Sequence, residues 1–284
     1  MENKNYFLLL FFGLTLIFQT YSQDIAPSPE SKTNKGRIYV FWGWNRGYYT
    51  NSDIEFTGDN YNFKLNDVQA KDRQSKFGLD PHFNPERITI PQTNLRLGFF
   101  ITNNLDISIG VDHMKYVMVT NQETEITGSI NDGSNYAGTY NNDNFLINED
   151  FLHFEHTDGL NYLNIEITRN DDLLKLFKIN LNPKIIKINA LIGFGLGPLM
   201  PKSNVTLWNK ERYDEFHFAG YGFAGKIGLD IIFFKHLFFR GELKEGFIDM
   251  PDIRTSSNSA DRASQHFFFT QMNIVFGFTI NPFN

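Results

Sequence analysis

The chain has 284 residues, no cysteine and a formal net charge of −6. An acidic balance of this kind excludes an electrostatic footprint for nucleic acid, and the lack of cysteine excludes a disulfide scaffold or a thiolate metal site. Aromatic residues make up 16%, yet the mean hydropathy is −0.33, which is too polar for a bundle of membrane helices.

In chain order, residues 1–22 read as a secretory signal peptide. Lys4 supplies a positive start, and 6–18 form an apolar run broken only by Gly13 and Thr15. That run is shorter than the roughly 20 residues a spanning helix needs. Residues 23–36 read as a short flexible linker, and 37–284 as one domain. The first strand covers 37–49, with Ile38, Val40, Trp42 and Trp44 on one face. Two strand-like pieces, 53–57 and 61–65, flank Gly58-Asp59-Asn60 and suit a hairpin projecting beyond the main sheet. Leu95, Leu97, Phe99 and Ile101 then alternate with polar or small residues. After the turn Asn103-Asn104, Leu105, Ile107, Ile109 and Val111 alternate with Asp106, Ser108, Gly110 and Asp112. Successive strand side chains point to opposite faces, so each segment has one apolar and one polar side.

The same pattern continues through Leu163, Ile165 and Ile167, and through Ile186 to Leu196. It returns in Tyr221 to Ile231, then in Leu237, Phe239 and Leu243. It is longest at 266–280, where Phe268, Thr270, Met272, Ile274, Phe276, Phe278 and Ile280 share a face. A lipid-facing strand needs about 9–11 residues of such alternation. The expected fold is all-β: an antiparallel up-and-down transmembrane β-barrel of about eight strands. Ten result if 53–57 and 61–65 also cross the membrane. Connections 51–92, 120–158, 199–215 and 249–265 are long and polar, and 103–104, 170–182 and 233–236 are shorter. Long outer loops and short periplasmic turns are the outer-membrane pattern, with both termini periplasmic.

The signal peptide, eight alternating strands and aromatic-rich last strand resemble the outer membrane protein A-like transmembrane barrel superfamily of Gram-negative bacteria. The resemblance is architectural and covers about 240 residues of alternating strand and loop. Family barrels end on a terminal aromatic; Phe278 and Phe283 are the two candidates here. The resemblance implies an outer-membrane location with lipid as a partner.

Charged residues cannot face lipid, so the polar faces must look inward. This predicts a lumen network of Arg96, Asp106, Asp112, Glu166, Lys226, Asp230, Arg240, Glu242 and Lys244. Eight strands leave an interior that side chains fill, so these charges are expected to pair as a structural plug. The alternative is a narrow, gated ion path. A second cluster, His113, His153, Glu155, His156 and Asp158, lies at the expected outer rim. Its His-x-x-His spacing with an acid between suits acid–base or metal chemistry. No serine motif accompanies it, so the alternative is polar rim residues. No catalytic residue, resident metal or cofactor is expected. The reading is a non-enzymatic barrel with a structural or surface-interaction role through its loops, toward an extracellular ligand or partner. The alternatives are a pore for small or apolar solutes, and an outer-leaflet lipid-modifying enzyme.

Overall fold

A computed structural model describes residues 34–282 except 85, 88, 89 and 209. The signal-peptide reading, most of the linker and Phe283 lie outside the described residues. Fifteen strands, β1 to β15 in chain order, form among them. Eight close a ring: β1 (Ile38–Tyr49), β5 (Thr93–Phe100), β6 (Leu105–Met118), β9 (Leu152–Asp172), β10 (Ile186–Leu199), β13 (Gly220–Phe233), β14 (Leu237–Arg254) and β15 (Arg262–Ile280). The other seven are β2 (Ser52–Gly58), β3 (Tyr61–Val68), β4 (Ala70–Lys71), β7 (Gln122–Ile130), β8 (Gly138–Ile147), β11 (Lys202–Leu207) and β12 (Tyr213–Phe216).

Every pair in the ring is antiparallel, and β15 closes onto β1 from Ile38↔Ile280 to Tyr49↔Phe269. Closure leaves no unpaired edge, which backbone amides in lipid require. The side chains are inverted relative to a soluble protein. Ile109 and Ile274 are each 60% exposed, whereas Arg96 is 2% and Asp106 0% exposed. Outward apolar residues also meet across strands: Leu97 faces Val40 on one side and Ile109 on the other. Such cross-strand pairs stabilise a sheet and give the ring a continuous apolar belt.

The expected 53–57 and 61–65 hairpin exists as β2–β3, and it projects from the barrel rather than joining the ring. The other long connections are not loops either. A lipid crossing uses about 9–11 residues, but β9, β14 and β15 have 21, 18 and 19. Their upper ends continue into a folded head. There β15 pairs with β2, β2 with β3, β3 with β7 and β7 with β8. On another side β12 pairs with β11, β11 with β9, β9 with β6 and β6 with β4. These pairings surround a core that includes Ile54, Phe56, Phe63, Tyr116, Ile126, Phe151, Phe154, Val205 and Phe267. The first described residue and the turns 101–104, 173–185 and 234–236 all lie at the opposite end.

Candidate functional site

A path or a site through the barrel would lie in the lumen. Its inward residues form three tiers. At the short-turn end Tyr39, Phe41, Phe100, Phe238 and Val275 pack together. Tyr39 stacks on Phe41 at 6.2 Å, and Phe238 meets both rings edge-on. Gly98 makes this possible, because a Cβ there would come within 2.0 Å of the Tyr39 ring.

The middle tier is charged. All nine residues expected in the lumen are buried here. Arg240 reaches both oxygens of Asp230, at 2.5 and 3.0 Å, and Glu242 at 3.4 Å. Its guanidinium also lies 5.2–5.5 Å from the rings of Phe238, Phe41 and Tyr39. Glu166 sits at the centre, 3.0 Å from Arg96, 2.6 Å from Lys226 and 2.7 Å from Lys244. Lys244 also reaches Asp112 at 2.5 Å, and Lys226 reaches Glu242 at 2.9 Å. Arg96 lies 3.6 Å from Asp112. Asp106 takes neutral partners instead, accepting from the Tyr39 hydroxyl and the Asn170 amide at 2.7 Å each. Four cations thus face five carboxylates, and isolated buried charge is too costly to persist. Sequence reasoning missed the amides that complete the tier. Asn94 and Asn164 both donate to Asp112, and Asn273 donates to Glu242. Space for the long side chains comes partly from glycine: a Cβ on Gly195 would sit 2.5 Å from the Glu166 side chain.

Above the charges the lumen turns apolar again. Tyr162, Leu199, Ile248, Phe267 and Phe269 are buried and belong to the same cluster as the head core. The barrel and head therefore share one hydrophobic interior, and the charged tier lies between two apolar ones.

It is a transmembrane β-barrel of eight strands. No family model and no curated protein matches the chain. Among solved structures it is similar to the outer membrane protein OprG from Pseudomonas aeruginosa, at 7% identity, covering 87% of this chain and 97% of that one with a TM-score of 0.41. It is similar to outer membrane protein AlkL in lipid bilayers, at 9% identity, covering 92% and 98% with a TM-score of 0.36. Against Ail of Yersinia pestis the identity is 8%, the coverage 87% and 99%, and the TM-score 0.31. Likeness at that level carries no functional argument, and the barrel assignment stands on the closed ring and its apolar belt.

The five rim residues do not converge. The FLHFEHTDG segment is a strand, so period two separates its side chains. Leu152, Phe154 and His156 enter the head core, whereas His153 and Glu155 lie on the opposite face. His113 Nδ1 pairs with Asn161 at 2.8 Å, and Asp158 accepts from Lys202 at 3.1 Å. Only His153 and Glu155 meet, at 3.5 Å, joined by Glu149 at 3.0 Å from His153 and Arg73 at 2.8 Å from Glu155. A cavity of about 110 Å³ lies beside them, lined in part by Lys71, Arg73, Thr120, Glu149 and His153. Hydrogen bonding to Glu155 raises the His153 pKa against burial, with Glu149 adding to it. Burial opposes ionisation of Glu155, but His153, Asn204, Thr157 and the Arg73 charge hold its carboxyl down at about 2. Arg73 and Asn204 were not legible as partners of Glu155, because they come from two distant segments.

His156 is different. It is fully buried, with Nδ1 2.8 Å from Ser203 Oγ and the rings of Tyr116 and Phe154 against it. Burial pushes its pKa down to about 3, so it is neutral in the folded head. The unfolded chain protonates it near the ordinary value of about 6.5. Between those two values the unfolded state binds the extra proton. The stability that neutral His156 contributes is therefore complete above about pH 6.5 and is lost as pH falls toward 3, by about 1.4 kcal/mol per pH unit. The head is expected to unfold at lower urea at pH 5 than at pH 7, read from Trp208 fluorescence with Trp42 and Trp44 changed to Phe. His156→Gln should flatten that dependence, and an unchanged pH slope would assign it to another group.

Proposed function

We propose that this chain is an outer-membrane barrel that conducts nothing and acts through its folded head, as a rigid surface platform for an extracellular partner. The observation that carries this reading is the three-tier seal. Two apolar tiers bracket a self-paired charged one, so an ion crossing the lumen would meet dry aromatic packing at both ends. Short connections would suffice for a structural plug alone. The chain instead spends seven further strands on a head with its own core, and a preorganised surface costs less to bind than flexible loops. The outermost strand, β8, is mostly exposed on both faces. Rigid scaffolds holding exposed outer segments are the usual platform for recognition.

The rim chemistry favours no enzyme. Ser203–His156 is the one Ser–His hydrogen bond among the described residues, and both members are buried inside the head. A substrate would have to open the core to reach it. His153 is half-buried and Glu155 is buried, and no nucleophile lies between them.

Planar-bilayer recordings of the purified protein, whose gel mobility is expected to shift on boiling, are the direct test. The expected trace is electrically silent, and sustained single-channel steps would sink the sealed-lumen reading. The surface role is tested by replacing 122–147, the β7–β8 hairpin, with a short Gly-Ser link. Adhesion or ligand capture by cells displaying the protein should fall while the heat-dependent gel shift persists. Unchanged capture would remove the hairpin as the recognition surface.

A further inference from the structure

The chain is acidic overall, but the end of the barrel that carries the short turns is not. The connection 173–185 and the turn 234–236 lie side by side there, joined by the Phe234 amide donating to the Ile185 carbonyl at 3.0 Å. Leu176, Phe177, Ile179, Ile185 and Phe234 are each 50–66% exposed. Lys175, Lys178, Lys184 and Lys235 are interspersed among them, and none has a carboxylate within ion-pair distance among the described residues. The two nearby acids are already engaged, Asp171 by Arg169 at 2.8 Å and Asp172 by Lys187 at 3.8 Å.

Two features make this more than an untidy turn. First, the apolar residues continue the lipid-facing belt. Ile185 precedes Ile186, which pairs with Phe233, and Phe234 follows directly. Second, the backbone is held in conformations that do not suit these side chains. Phe234 and Lys235 have φ of 50° and 67°, and Lys178 has 55°. Asparagine and glycine adopt that region at lower cost, and Asn-Gly is the usual pair for such a hairpin turn. A bulky phenyl and two ammonium groups stand where the fold alone favours neither.

We propose that this patch binds anionic phospholipid of the inner leaflet, with the apolar side chains among the acyl chains and the lysines on the headgroups. Interspersed lysine and large apolar residues at a membrane edge are the chemistry that recognises an anionic lipid surface. The proposal rests on the membrane-barrel reading above and extends it to a specific lipid class.

The test uses the full chain in detergent micelles, with native mass spectrometry to count bound phosphatidylglycerol against phosphatidylcholine. Phosphatidylglycerol should be retained at least tenfold more readily. In Lys175→Gln/Lys178→Gln/Lys184→Gln the preference should fall by an order of magnitude or more, since each surface lysine contributes several-fold. Phe234→Asn/Lys235→Gly gives the turn its favoured residues, so its unfolding midpoint should hold or rise while lipid retention drops. Equal retention of the two lipids by the unaltered chain, or an unchanged preference in both variants, overturns the proposal. So does a lysine-dependent dimer, or binding of soluble anionic peptidoglycan fragments in place of lipid. The heat-dependent gel shift separates the two levels. A protein with the shift but no lipid preference refutes the patch alone, and one with no shift refutes the barrel reading beneath it.

Discussion

Glu166→Leu is expected to cost the barrel about 3–5 kcal/mol, the loss typical of removing one partner from a buried charge cluster. The register explains why this carboxylate matters most. Lys226 and Lys244 are directly opposite each other on β13 and β14, and like charges so placed repel. Glu166 enters from β9 and sits between them, reaching Lys226 at 2.6 Å and Lys244 at 2.7 Å, with Arg96 at 3.0 Å. Removing it leaves three buried cations sharing Asp112 and Glu242. Glu166→Gln keeps the shape and a hydrogen-bond acceptor but loses the charge, so it should fall between the native chain and the leucine variant. The urea midpoint of the heat-dependent gel shift in micelles reads both. A triple change, Glu166→Leu with Lys226→Met and Lys244→Met, removes the cations with the anion and should recover much of the loss. If Glu166→Leu leaves the midpoint unchanged, the lumen charges are solvated rather than sealed. None of these variants should conduct, because the apolar tiers on either side are untouched.

The barrel was legible because its signal is repeated and local. Leu97, Ile109, Ile165 and Phe278 each sit in a segment that alternates by itself, so eight weak patterns agree on one closed sheet. The lumen charges were then placed by elimination, since Arg96 or Asp112 on those strands has one dry side and one lipid side to choose between. Beyond the β2–β3 hairpin, the head was not legible for the opposite reason. Much of its core comes from short segments that each give one or two side chains: Ile126 and Ile130 from β7, Ile147 from β8, Val205 and Leu207 from β11. No one of these strands carries a full apolar face. Segments such as β8, GTYNNDNFLI, read as polar loops because most of their residues are exposed even when paired. The rim histidines failed on parity. Leu152, Phe154 and His156 share a face at period two, and taking the segment as a loop discarded the alternation that separates His156 from His153.

Phe63→Ala tests whether the head is a packed unit or a set of ordered loops. Phe63 is 1% exposed and stacks on Phe56 at 5.1 Å, with Phe151 at 5.7 Å and Trp208 at 5.8 Å. Truncating a phenylalanine in such a cluster costs about 3–5 kcal/mol, because the lost contacts and the cavity both count. The aromatic neighbours come from β2, the turn before β9 and the turn after β11, so their pairing depends on tertiary packing rather than on one hairpin. The expected result is selective. Protease should cleave the variant within 120–150 under conditions where the native head resists, and Trp208 emission should shift to the red. The heat-dependent gel shift should stay close to native, since the ring is closed by hydrogen bonds from β1 to β15 that do not involve Phe63. Phe63→Leu, which keeps most of the volume, should retain most of the protection. A head that resists protease equally in all three chains would mean that its strands are held by pairing alone. A variant that also loses the gel shift would mean that head and ring unfold as one unit through their shared core. A barrel fixed by its ring, carrying a head fixed by its core, excludes both outcomes.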